Sequence, residues 1–164
     1  MRVRDVLLGS DRAPIERNVR GVGNFRDDEV VVAMELVDIG LSEDAKGYSF
    51  AVAEEDDEVV GYACFGHAPM TDAVYDLYWI AVDRARQGAG IGQLLLADVE
   101  RAVRAAGGRM LLIETEGSGG YDATRRFYER AGYPEVARLR DYYRRGADKV
   151  IYGRTLDRGE ETGT

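Results

Sequence analysis

The segment Gln87-Gly88-Ala89-Gly90-Ile91-Gly92 constrains this chain more than any other stretch. It follows an apolar run, Val74–Val82, whose continuous hydrophobic end reads as a strand buried on both faces. It leads at once into a helical pattern. Ile91, Leu94, Leu95, Val99, Ala102, Val103 and Ala106 share one face, and Gln93, Glu100, Arg101 and Arg104 take the other. Glycine has no Cβ to block close approach, so the amides from Gly88 to Gly92 can turn toward one point. The helix N-terminus adds the positive end of its dipole there. Such a turn is a cradle for a pyrophosphate, with Arg84 and Arg86 at its rim, or else simply a tight strand-to-helix connection. No lysine follows the glycines, so it is not a P-loop. A dinucleotide fingerprint beginning at Gly88 requires glycine at position 93, where the chain has Gln93. What remains is Gln-x-x-Gly-x-Gly, read as Gln87, Gly90 and Gly92.

The flanks place this turn in a mixed sheet. Residues 2–8 read as a strand. Ser10 or Asp11 can cap a helix with Ile15, Val19 and Val22 on one side, broken by Gly21 and Gly23. Asp27, Asp28 and Glu29 suit the start of a second helix reaching Leu41, although Val30-Val31-Val32 would also suit a strand. Residues 48–53 and 59–65 form a hairpin around the acidic run Glu54 to Glu58, which reads as a solvated turn. Beyond the central helix come a strand at 110–114, a loop at Gly117 to Gly120, and a helix at 122–131 stopped by Gly132. Two last strands, 136–143 and 149–156, complete the order. A strand–helix–strand crossover flanked by hairpins makes this an α/β (α+β) chain with helices packed on a mixed sheet.

With 164 residues and no repeat or linker, the expectation is one domain over residues 1–156 and a flexible polar tail at 157–164. The formal charge of −8 disfavours nucleic acid, whose phosphates need a basic surface. No apolar run approaches the roughly 20 residues of a membrane span. The lone Cys64 and the absence of a signal-like start favour a reducing cytoplasm. Exposed strand edges would allow a homodimer.

Residues Leu77 to Leu96, around the glycine turn, resemble the acetyl-CoA-binding motif of the GNAT N-acetyltransferase superfamily. A second stretch, Phe127-Tyr-Glu-Arg-Ala-Gly-Tyr133, is similar to that family's Phe/Leu-Tyr-x-x-x-Gly-Phe/Tyr segment, in the right order and at the right spacing. The resemblance implies a mostly antiparallel central sheet with one splayed parallel strand pair and helices on both faces. It implies acetyl-CoA as acyl donor, no metal, and a small-molecule or peptide amine as acceptor. The pantetheine arm would pair with the strand at Ile80, Ala81 and Val82. The pyrophosphate would rest on Gln87, Gly88, Ala89, Gly90, Ile91, Gly92 and Gln93.

By the same resemblance Tyr128 is the general acid that protonates the leaving thiolate. Glu114 matches a proposed base in relatives such as ribosomal-protein alanine acetyltransferases, with about two extra residues before the tyrosine helix. Glu116, Asp76, Tyr78 and His67 are alternatives, acting directly or through water. Tyr121 and Thr124 stand where relatives often carry Asn and Ala, so the acceptor side departs from the family pattern. A non-catalytic acyl-CoA-binding module of the same fold is the competing expectation.

Overall fold

Eleven helices and strands and three short 3₁₀ turns make up the computed structural model, which describes residues 1–42 and 47–156. In chain order they are β1 (Arg2–Arg4), α1 (Arg12–Val22), α2 (Asp27–Leu41), β2 (Ser49–Glu55), β3 (Glu58–His67), β4 (Val74–Val82), α3 (Ile91–Ala105), β5 (Met110–Glu116), α4 (Asp122–Arg130), β6 (Glu135–Arg144) and β7 (Ala147–Thr155). The 3₁₀ turns are Gly9–Asp11, Arg84–Arg86 and Gly119–Tyr121. The strands lie in the order β1-β2-β3-β4-β5-β7-β6, mostly antiparallel, with β4 and β5 the parallel pair. The expected tail at 157–164 lies outside the described residues. Among the described residues, no helix is long and apolar enough to cross a membrane.

The described residues gather into two compact units. The first contains Met1–Gly66 and Leu77–Val99. Its core joins Ile15 and Val19 of α1, Val30, Met34 and Val37 of α2, and Phe50, Val52 and Tyr62 of β2 and β3. The ambiguous run Val30-Val31-Val32 is helical. Glu29 accepts the Arg26 amide at 2.8 Å to start the turn, and Val30, Ala33, Met34 and Val37 bury one helical face while Val31 and Val32 stay exposed.

The first strand is shorter than its sequence suggests. Only Arg2 to Arg4 pair with β2, opposite Glu54 to Val52. Asp11 then bends the chain: its carboxylate accepts the Leu8 amide at 2.6 Å and both terminal nitrogens of Arg4 at 2.9 and 2.6 Å. It therefore does not serve α1 as a side-chain cap. Nor does Gly21 break α1, which runs to Val22 and ends at Gly23 with φ of 83°. The acidic turn also tightens. Asp56 and Asp57, at φ of 52° and 64°, form a two-residue hairpin connection of the kind that matches strand twist. Glu54 is not solvated: it is buried and ion-paired with Arg2 at 2.7 Å and Arg4 at 2.6 Å.

The second unit contains His67–Asp76 and the described residues from Glu100 onward. β5 pairs antiparallel with β7, in a register that sets Glu114 opposite Ile151 and Glu116 opposite Lys149. β6 pairs with the other edge of β7, and its register shifts between Leu139 and Arg144. Leu111, Ile113, Tyr128, Tyr133, Val150 and Tyr152 are buried here.

Candidate active site

In the first unit the glycine turn is built by local hydrogen bonds. The Asp83 amide donates to the Val60 carbonyl at 2.8 Å, closing the end of β4. The Asp83 carboxylate accepts the Ala85 amide at 2.9 Å and begins the 3₁₀ turn at Arg84–Arg86. Gly88 and Gly90 then take φ of 82° and 83°, the left-handed region that other residues enter only with strain. No heavy atom lies within 4 Å of where a Cβ would sit on either one. Their glycines are thus required by backbone conformation and not by crowding. The Leu94 amide donates to the Gly90 carbonyl at 3.0 Å, which starts α3. The first-turn amides of Ile91, Gly92 and Gln93 have no carbonyl one turn back within the helix.

Gln87, Gly88, Ala89, Gly90 and Gln93 are exposed, Gly92 is half-buried and Ile91 is buried as the anchor. Gly61 of β3 makes room for that anchor: a Cβ there would meet Ile91 Cγ2 at 3.3 Å and Leu95 Cδ1 at 3.1 Å. Of the two rim arginines, Arg86 is ion-paired with Glu55, while Arg84 is exposed. Ala81 is buried in the first unit's core, and Ile80 and Val82 are half-buried. This unit also holds Tyr78, whose ring meets Tyr48 edge-on at 5.5 Å.

The second unit carries the titratable candidates. Tyr128 sits on α4 with 4% of its surface exposed, between Phe127 (ring centroids 5.2 Å apart) and Tyr152 (5.9 Å). Burial pushes its phenol above the ordinary tyrosine range, so the hydroxyl keeps its proton at neutral pH. Glu114 faces out from β5 and is ion-paired with Lys149 Nζ at 2.9 Å. The same ammonium lies 4.8 Å from the centre of the Tyr142 ring. Burial works against the Lys149 charge, but the Glu114 carboxylate outweighs it and holds the ammonium above the usual lysine value. Asp76 is half-buried. Its carboxyl is raised first by burial and then by the Glu114 charge, with Lys149 partly opposing.

Glu116 differs from Glu114 although only one residue separates them. It is 4% exposed, accepts the Ser118 hydroxyl at 2.6 Å and pairs with Arg144 at 2.6 Å. These partners make it a fastener for the loop before α4. His67 is exposed, edge-on to Tyr75 at 5.5 Å. Glu114 and Asp76 are therefore the two carboxylates that share one neighbourhood, with Lys149 beside them. Sequence reasoning missed Lys149 there, whose only advance signal was that it is one of two lysines in the chain.

A family model described as Acetyltransferase (GNAT) domain matches residues 46–135. A crystal structure of a GNAT-family protein from Desulfovibrio desulfuricans is 47% identical, covering 95% of this chain and 99% of that one with a TM-score of 0.92. The chain belongs to the GNAT acetyltransferase family. Two more distant structures share the GNAT fold. An aminoglycoside 6'-N-acetyltransferase complexed with coenzyme A is 16% identical, covering 98% of this chain and 100% of that one with a TM-score of 0.76. A Salmonella typhimurium protein with its cofactor acetyl-CoA is 21% identical, covering 100% and 98% with a TM-score of 0.74. A comparison with curated proteins gives no significant match. The matched GNAT region takes in the glycine turn, Glu114, Tyr128 and Tyr133.

Proposed function

We propose that this GNAT protein transfers the acetyl group of acetyl-CoA directly to a primary amine. The observation that carries this reading is the turn at Gln87–Gly92. Two left-handed glycines and the open first-turn amides of α3 present N–H groups with no side chain in the way. Those amides would hold the pyrophosphate, and the backbone at Ile80, Ala81 and Val82 would align the pantetheine arm.

The chemistry then needs three things. The amine nitrogen attacks the thioester carbonyl carbon, so a fixed N–H must meet the oxygen that gathers charge. The carbon–sulfur bond breaks, and the departing thiolate takes a proton from the Tyr128 hydroxyl. Burial keeps that phenol in its proton-bearing form, so its O–H faces the developing thiolate as a donor, and the proton it gives up is restored from solvent. The ammonium of the acceptor must first lose a proton to Glu114, to Asp76 or to water between them. Glu114 is engaged by Lys149, so the acceptor amine competes with that lysine for the carboxylate.

Thiol release from acetyl-CoA over a panel of peptide N-termini, lysine, spermidine and an aminoglycoside tests the proposal. Tyr128→Phe should lower kcat by about 100-fold, the ordinary scale of general-acid catalysis, with acetyl-CoA affinity unchanged. An unaltered kcat removes Tyr128 from the acid role. Acetyl-CoA binding by the wild-type protein with no thiol release on any acceptor would favour the non-catalytic module.

A further inference from the structure

The end of α4 is tied to α3 through a residue that has no role in the reaction outlined above. α4 is only nine residues long, Asp122 to Arg130, too short to be stable on helical hydrogen bonds alone. Its last turn must therefore be held from outside, and Tyr128 lies in that last turn.

Two backbone hydrogen bonds close the helix. The Gly132 amide donates to the Glu129 carbonyl at 3.1 Å, and the Tyr133 amide donates to the Tyr128 carbonyl at 3.0 Å. With Gly132 at φ of 83°, this is the paired 5→2 and 6→1 bonding of a left-handed helix stop. The motif Phe127 to Tyr133 thus has a physical reading. Gly132 supplies the left-handed turn, and Tyr133 reaches back to grip the residue that carries the phenol.

Tyr133 is itself anchored. It is 1% exposed, and its hydroxyl donates to Glu100 Oε1 of α3 at 2.7 Å. Glu100 is 9% exposed. It also accepts from Arg154 of β7 at 3.1 Å and Arg104 of α3 at 3.2 Å, and the Arg154 guanidinium lies 5.9 Å from the Tyr133 ring centre. On the other side, the Tyr152 hydroxyl donates to Glu129 at 3.1 Å while its ring lies 5.9 Å from that of Tyr128. A carboxylate placed between two arginines accepts strongly from a buried phenol.

We infer that Glu100 and Tyr133 are positioning residues for Tyr128: the buried Glu100–Tyr133 hydrogen bond holds the left-handed stop of α4 and so fixes where the Tyr128 hydroxyl points. The inference rests on the acid role proposed for Tyr128. Tyr133→Phe is the sharpest test, because it removes one oxygen and leaves the ring in place. Glu100→Gln is the milder companion, since it keeps an acceptor and loses the charge.

Tyr133→Phe should lower kcat at least about tenfold, in line with the sensitivity of catalysis to displacements near 1 Å, while acetyl-CoA affinity and acceptor KM stay within about twofold. Glu100→Gln should fall between Tyr133→Phe and wild type. In a Tyr128→Phe background the Tyr133→Phe loss should vanish, because nothing remains to be positioned. An equal loss in both backgrounds, or no loss in the first, overturns the inference.

A readout independent of turnover is amide hydrogen exchange at Gly132 and Tyr133 together with the NMR signal of a labelled Tyr128 ring. Tyr133→Phe should speed exchange at both amides and shift the ring signal, and no change in either overturns the inference. Failure of the acetyltransferase reading appears separately, as wild-type protein that releases no thiol.

Discussion

Two stretches of this chain approach a helix through glycines, and they do opposite things. Gln87 to Gly92 leads into α3 with Gly88 and Gly90 left-handed and open space where side chains would stand. Gly117 to Gly120 leads into α4, and the carbonyls at its start are already engaged, although Gly119 and Gly120 also have open space where side chains would stand. Arg125 of α4 donates to the carbonyls of Glu116 at 2.8 Å and Ser118 at 2.7 Å, and Ser118 donates its hydroxyl to the buried Glu116. At Gly117 a Cβ would meet Asp148 Cβ at 3.0 Å and Val150 Cγ2 at 3.3 Å. In the function proposed above, one turn would offer amides to a ligand, whereas the other uses its carbonyls to brace a helix. Glycine content alone does not separate a binding loop from a structural one. The direction of the unpaired groups does.

The largest expected effect breaks the first loop. Gly90→Val forces a β-branched residue to φ of 83°, so acetyl-CoA affinity measured by calorimetry should fall by about 100-fold. Unchanged affinity would mean that this turn only connects a strand to a helix. Next, Arg125→Met removes the brace from the second loop but keeps much of the side chain's bulk. About 2 kcal/mol of unfolding stability should be lost, since two carbonyls lose a charged donor, with acetyl-CoA affinity unchanged. A fall in that affinity would erase the contrast between the loops.

The smallest effect is local and depends on acid. Asp148 accepts the Asp141 amide at 3.0 Å and pairs with Arg138, and these partners, the amide first, hold its carboxyl below the usual range. A depressed carboxyl contributes stability that is present above its unfolded value of about 3.9 and lost as pH falls through the lower folded value. The Gly117 amide donates to the Asp148 carbonyl at 2.8 Å, so its hydrogen exchange should lose protection below about pH 4 in wild type. In Asp148→Asn that acid-dependent loss should disappear, and the Gly88–Gly92 amides should show no matching transition in either protein. An identical acid profile in the variant would count against Asp148.

Much of the architecture was legible in advance because it rests on periodicity. α3 follows its apolar spacing at Ile91, Leu95, Val99 and Val103, while Leu94 and Ala106 of the same expected face are exposed and Ala106 lies past the helix end. Gly132 ends α4 where the glycine stands. The misreadings share one cause, pairing across long sequence separation. Glu54 belongs to an acidic run that looks solvated, yet Arg2 and Arg4 reach it from 52 and 50 residues away. Glu114 and Glu116 look equivalent on a strand, but Lys149 meets one and Arg144 the other. Glu100 is hydrophilic by pattern and would be assigned to the solvent face of α3. Instead it is buried against Tyr133 and Arg154.

By itself the sequence determined the strand–glycine–helix unit and the helix stop at Gly132. Both follow from rules that act within a few residues: side-chain period, the missing Cβ of glycine, and the unpaired amides that begin a helix. The tertiary structure alone decided which carboxylates face partners and which face solvent. Burial and charge pairing depend on groups brought close in space from distant positions, and no local pattern encodes that distance.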